Sequence, residues 1–154
     1  MDLSPYDRLT SLGLQLPLVS PPKGTYVPAV RAGQIVYISG QIPMKDGKVV
    51  ATGRIGEGIS VDQGRALARQ CALAALAAID VVAGLTNVTR IATVTGYVAS
   101  ADGVTEQASV VDGASELLVA VLGEAGRHAR SVVGVARLPL NAPMEIEMIA
   151  EVQT

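Results

Sequence analysis

Two adjoining patterns near the C-terminus constrain the fold more than any other part of this chain. Val132 to Ala136 is a continuous apolar run between Arg130-Ser131 and Arg137-Leu138-Pro139, and Met144, Ile146 and Met148 then alternate with Glu145 and Glu147. An unbroken apolar run bounded by turn signals predicts a strand buried on both faces, and strict alternation predicts a strand buried on one. If the two strands are neighbours, Arg130 and Glu145 can come together. Taken alone, the same residues also fit a solvated glutamate row and an arginine that merely guards an apolar strand.

The rest of the chain supplies the partners. Ser60-Val61-Asp62-Gln63 is a capping box and Gly84 a C-terminal stop, which predicts one helix over Val61 to Ala83. Its polar residues Asp62, Arg65 and Arg69 form a stripe, and beyond Gln70 it is apolar nearly all round. A second helix is predicted from Thr105 to about Leu122, its middle weakened at Gly113 by roughly 1 kcal/mol relative to Ala. Strands are predicted at Tyr26 to Val30, Gln34 to Ser39, Val49 to Ala51 and Arg90 to Ala99. Pro28 confines the first to an edge or bulge. The order β-β-β-α-β-α-β-β predicts an α/β sandwich: one mixed β-sheet of about six strands with two long helices on one face. Residues 1 to about 23 carry Pro5, Pro17, Pro21 and Pro22 and read as a Pro-rich extension, with a short helix at Arg8 to Leu14, ahead of a single domain over 24–154.

Composition removes several function classes. Twelve basic against 14 acidic residues give a net charge of −2 with no Lys/Arg cluster, which argues against a nucleic-acid surface. One Cys and one His, Cys71 and His128, exclude a multi-ligand Cys/His metal cluster within the chain. Cys71 fits an inert buried thiol and His128 a surface residue. Gly53 to Gly58 fits neither a dinucleotide fingerprint nor a P-loop. Met1 to Pro5 shows no secretory signal, and the apolar run Cys71 to Ile79 is too short to span a bilayer, so a cytoplasmic protein without membrane contact is expected.

Arg130-Ser131-Val132-Val133-Gly134-Val135-Ala136-Arg137-Leu138-Pro139 followed by Glu145-Ile146-Glu147, with Ser39-Gly40-Gln41-Ile42-Pro43 and Gly24-Thr25-Tyr26 upstream, resembles the RidA/YjgF family. The resemblance runs from about Gly24 to Val152. It implies the YjgF/chorismate-mutase-like fold, a homotrimer with clefts between subunits, and no cofactor. Members with established activity hydrolyse enamines and imines such as 2-aminoacrylate to a 2-keto acid and ammonia. Carried over residue by residue, the resemblance makes Arg130 the group that holds the substrate carboxylate and Glu145 the group that orients water and accepts its proton. Tyr26 and Ser39 would line the same cleft. Two positions depart from well-known members: Val132 stands where they carry Cys, and Ser100-Ala101-Asp102-Gly103 where they present an Asn. Val132 could then offer the substrate only its backbone, and Asp102 would bring negative charge toward an anion.

Uncovered apolar surface points the same way as the resemblance. Two helices cover one sheet face, so the other needs a second copy of the chain. Three functions follow as expectations: a cofactor-free imine/enamine hydrolase, a module that binds a small carboxylic acid without turnover, and, from the family's other name, a ribonuclease.

Overall fold

The computed structural model describes residues 2–154. The chain runs α1 (Pro5–Ser11), β1 (Ala29–Ala32), β2 (Ile35–Gln41), β3 (Met44–Lys45), β4 (Lys48–Val49), β5 (Arg54–Ile55), β6 (Gly58–Ile59), α2 (Val61–Ala83), β7 (Val88–Ala99), α3 (Gln107–Leu122), β8 (Ala129–Val135) and β9 (Met144–Val152). Both ends of α2 lie where its caps place them: Ser60 Oγ accepts from Gln63 N at 3.1 Å and Gln63 Oε1 accepts from Ser60 N at 2.8 Å. By length and composition α2 could cross a membrane. Here its apolar side is spent instead on the core, with Cys71, Ala72, Ala75, Leu76 and Ile79 fully buried.

One five-stranded sheet in the order β1-β2-β9-β7-β8 carries the fold, antiparallel throughout except for the parallel pair β7·β8. The helices α2 and α3 cover the face that presents Val36, Ile38, Ile91, Val94, Val98, Met144, Ile146 and Met148, all buried. The sheet has five strands rather than about six because the residues expected to add another at 49–51 leave it: Lys48–Val49 pairs with Met44–Lys45 in a separate hairpin. The first strand begins at Ala29, not Tyr26. Its ladder opens with Ala29 opposite Ile38, just beyond Pro28, which has no N–H to give.

The run 132–136 is not buried on both faces. β8 is an edge strand, and Val133 is 46% exposed on the side away from the helices, because none of the described residues covers it.

The N-terminal extension packs across the helix layer. Its helix starts three residues before the expected Arg8 because Ser4 and Asp7 form a capping box with Pro5 in the first turn, an arrangement that fixes the helix start. Leu9 is buried in the core, and the Tyr6 hydroxyl donates to Asp80 Oδ1 at 2.6 Å, tying α1 to the end of α2.

Candidate active site

Arg130 and Glu145 are not neighbours within one chain. β7 lies between their strands, with Arg130 opposite Val94 and Glu145 opposite Tyr97, so the two are offset by three residues, about 10 Å along the strands. Their side chains also leave opposite faces. Arg130 reaches Asp112 and Ser115 on α3, while Glu145 alternates with the buried Met144 and Ile146 and stands on the uncovered side with Tyr97 and Glu147. The expected juxtaposition therefore fails inside the chain, because β9 pairs with β2 and β7 rather than with β8.

Glu145 faces a cleft of about 900 Å³ at the end of the sheet where β2 runs out and β9 begins. The cleft is walled by the arm Pro17–Lys23, the β3–β4 hairpin, α2 at Gln70–Ala74 and the turn at Pro139–Leu140, with Tyr26, Gly40 and Gln41 on its floor. Gly40 makes room for the carboxylate: a Cβ built there would stand 2.7 Å from Glu145 Cδ and closer still to Oε1. Among the described residues none forms a hydrogen bond or an ion pair with the Glu145 carboxylate. Burial, and then the neighbouring Glu147 charge, push its pKa above the ordinary carboxylate range. A carboxylate of this kind can accept a proton from a water nearer neutral pH than an ordinary glutamate can.

Tyr26 lines this cleft with half its surface exposed. Ser39 does not. Its hydroxyl donates to the Val27 carbonyl at 2.7 Å, so it pins the segment that carries Tyr26, and it borders a smaller hollow with Thr93, Thr95 and Glu147. Tyr97 donates to Glu147 Oε1 at 2.8 Å, a bond that raises the Tyr97 pKa and holds the second glutamate to one side. Cys71 is fully buried with its thiol pKa pushed up by that burial, and it is inert.

Arg130 belongs to a second constellation. Its Nη1 donates to Asp112 Oδ1 at 2.7 Å and to Ser115 Oγ at 3.2 Å; Ser115 Oγ lies 2.9 Å from His128 Nε2, and His128 Nδ1 lies 2.6 Å from the Gly126 carbonyl. A carbonyl only accepts, so Nδ1 carries a proton; in the neutral ring Nε2 then accepts from the Ser115 hydroxyl, and Ser115 Oγ accepts from Arg130. His128 is thus a half-buried link in this chain rather than a free surface residue. Asp112 and Ser115, three apart and so on one side of α3, were legible as a polar pair, but nothing local tied them to Arg130. Val132 turns its side chain to the core. Asp102 is exposed in the loop after β7 and does not line the Glu145 cleft of its own chain.

Comparison with known proteins agrees with this architecture. The family described as "YjgF/chorismate_mutase-like, putative endoribonuclease" matches residues 6–152. Protein TCP17 of Trypanosoma cruzi is 39% identical over 146 residues, covering 94% of this chain and 91% of that one. The solved structure of Atu1372, of unknown function, from Agrobacterium tumefaciens is 40% identical with a TM-score of 0.89, over 97% of this chain and 92% of that one. Escherichia coli TdcF, solved with bound serine, is 30% identical with a TM-score of 0.64, over 88% and 94%. A mixed sheet backed by two long helices and a match that spans nearly the whole chain lead to one conclusion: this protein belongs to the YjgF/RidA family.

Proposed function

We propose that this protein hydrolyses 2-imino and 2-enamino acids, such as 2-aminoacrylate, to 2-keto acids and ammonia, in clefts shared between the copies of a homotrimer. The observation that carries this reading is Glu145: an unpartnered, half-buried carboxylate of raised pKa at the base of a large cleft. In the reaction the enamine takes a proton at carbon and becomes the imine. Glu145 orients a water and accepts its proton as the oxygen bonds to the imine carbon. As the C=N π electrons pass to nitrogen, Glu145 gives the nitrogen that proton; in the collapse of the carbinolamine the hydroxyl proton passes through Glu145 to the same nitrogen, and ammonia leaves with the C–N bond electrons while the C=O bond forms. No redox equivalent is consumed.

The substrate carboxylate requires a cation. Arg130 of an adjoining copy suits it, because only Nη1 of its guanidinium is engaged by Asp112 and Ser115, and a planar fork can hold a carboxylate through the edge left over. TdcF, a relative, has serine bound, a small molecule with the same carboxylate-bearing carbon next to nitrogen.

A second reading has its own support. Asp112 already neutralises much of the Arg130 charge, which suits a module that binds a carboxylic acid without turning it over. Ribonuclease activity has little behind it in a chain of net charge −2 with no Phe or Trp for base stacking. The deciding experiment generates 2-aminoacrylate in the presence of the purified protein and follows keto acid and ammonia. Hydrolysis above the uncatalysed rate supports the first reading; unchanged decay, with a 2-keto acid still raising the melting temperature, selects the second.

A further inference from the structure

Within one copy of the chain, the Glu145 cleft is far larger than the smallest imino acids need. Its volume of about 900 Å³ falls in the range of sites that enclose drug-sized ligands, roughly 300 to 1,000 Å³. Much of the lining is apolar, and the arm and the 139–141 turn that supply part of it lie outside the core. Leu18 borders the cleft at 95% exposure, beside Val19, Pro21 and Pro22 of the N-terminal arm. Lys23 Nζ donates to the Gly47 carbonyl at 3.3 Å, which fastens the end of this arm to the turn of the β3–β4 hairpin.

Leu140 is the second observation. It lies on the same cleft, 54% exposed, with φ of +57°. Left-handed backbone is costly for a bulky side chain, and a residue held there without burial is not being held for the core. What the conformation achieves is to present an isobutyl group to the cleft from the turn that leads into Glu145.

We infer that the arm and the 139–141 turn form a tail pocket, and that the preferred ligand is a 2-imino or 2-keto acid with an extended apolar side chain rather than 2-aminoacrylate. The reacting carbon lies at Glu145 and the tail runs along Leu18, Leu140, Leu73 and Met44. This inference rests on the imine-hydrolase reading for the position of the reacting carbon; the pocket itself rests on the lining alone.

The test is calorimetric titration of the intact protein with straight-chain 2-keto acids from pyruvate to 2-oxooctanoate. Affinity should rise about three- to fourfold for each added methylene until the cleft is filled. Leu18→Ser, which alters an exposed side chain, should weaken 2-oxooctanoate binding about tenfold and leave pyruvate unchanged. Leu140→Asn should weaken the long acid similarly while raising the melting temperature by a few degrees, since Asn tolerates the left-handed region. A flat series, or variants that bind all chain lengths like the parent, would overturn the inference. A steep series with no imine consumed upholds the tail pocket and removes the hydrolase. Imine hydrolysis whose specificity constant ignores tail length keeps the hydrolase and removes the tail pocket.

Discussion

Arg130 Nη1 and Asp112 Oδ1 are 2.7 Å apart, an ion pair at the outer edge of the sheet that fixes one corner of the guanidinium and leaves its Nε–Nη2 edge without a partner among the described residues. Asp112 also lies 3.9 Å from Arg65, which is bound in turn to Glu116, so Arg130 is held within an alternating charge network. The pair is partly exposed, 24% and 44%, and its worth to folding is correspondingly small, about 0 to 1 kcal/mol.

Replacing Asp112 by Ala should therefore lower stability by less than about 1 kcal/mol yet raise KM for an imino acid about tenfold with kcat nearly unchanged, because the fork proposed to bind the substrate carboxylate has lost its brace. Asp112→Asn keeps an acceptor and should recover most of the affinity. Urea denaturation beside steady-state kinetics checks both. Equal losses in kcat and stability would make Asp112 a purely structural residue.

Glu145→Gln should reduce kcat by about 10² to 10⁴, the range for loss of a general base. Its effect on stability has the opposite sign. The folded pKa of Glu145 is raised, so the folded state holds the proton more tightly than the unfolded one, and the ionised carboxylate is a burden on folding above that pKa. The variant should be more stable than the parent at neutral pH, and the difference should close as pH falls through the folded pKa and vanish below the unfolded one. The acid limb of kcat/KM for the parent should likewise fall above the ordinary glutamate value of about 4.3. A limb at or below that value would exclude Glu145 as the base. Denaturation midpoints and pH–rate profiles measured on the same preparations provide the check.

Gly113→Ala should destabilise, although helix propensity alone predicts a gain of roughly 1 kcal/mol. A Cβ at 113 would lie 2.8 Å from the Arg65 carbonyl carbon, so α3 touches the backbone of α2 at this point. Backbone cannot move aside as a side-chain end can, and forced overpacking costs about 1 to 3 kcal/mol. A fall in the urea midpoint is expected; a rise would mean that the helices can separate without cost.

That reversal illustrates what was legible in the sequence. Features whose cause is local could be read directly: both ends of α2 from Ser60, Gln63 and Gly84, the alternation of β9, and the inertness of Cys71. The Ser4–Asp7 box is equally local, and with Pro5 in the first turn it sets the start of α1 three residues ahead of Arg8. Features set by topology could not be read. Nothing in residues 130–150 says that β7 slides between the strands bearing Arg130 and Glu145, and nothing at Gly113 announces a neighbour 48 residues back.

Tyr6→Phe tests whether the extension is part of the fold. The hydroxyl bonds Asp80 at 2.6 Å, and Asp80 also accepts from the Leu85 backbone at 3.1 Å, so one contact joins α1, α2 and the chain leaving α2. Losing it should cost about 0.5 to 1.5 kcal/mol, more if Asp80 is left short of donors. Amide exchange should then quicken in α1 first. A variant as stable as the parent would show the extension to be only loosely laid on the helices.

The proposed sharing of the cleft between copies gives the sharpest prediction, because Arg130 and Glu145 leave opposite faces of the same sheet and would serve one substrate from different chains. The uncovered face presents Tyr37 and Val133, each about half exposed, and is the surface on which a second copy can settle. Arg130→Ala and Glu145→Gln should each be nearly inactive as purified proteins with a mass three times that of the chain by light scattering. Refolded together in equal amounts, they should regain roughly a quarter of the parental activity, the fraction of interfaces that pair an intact Glu145 with an intact Arg130 when copies mix at random. If both groups acted within one chain, every chain in the mixture would still lack one of them, and the mixture would be as inactive as its parts.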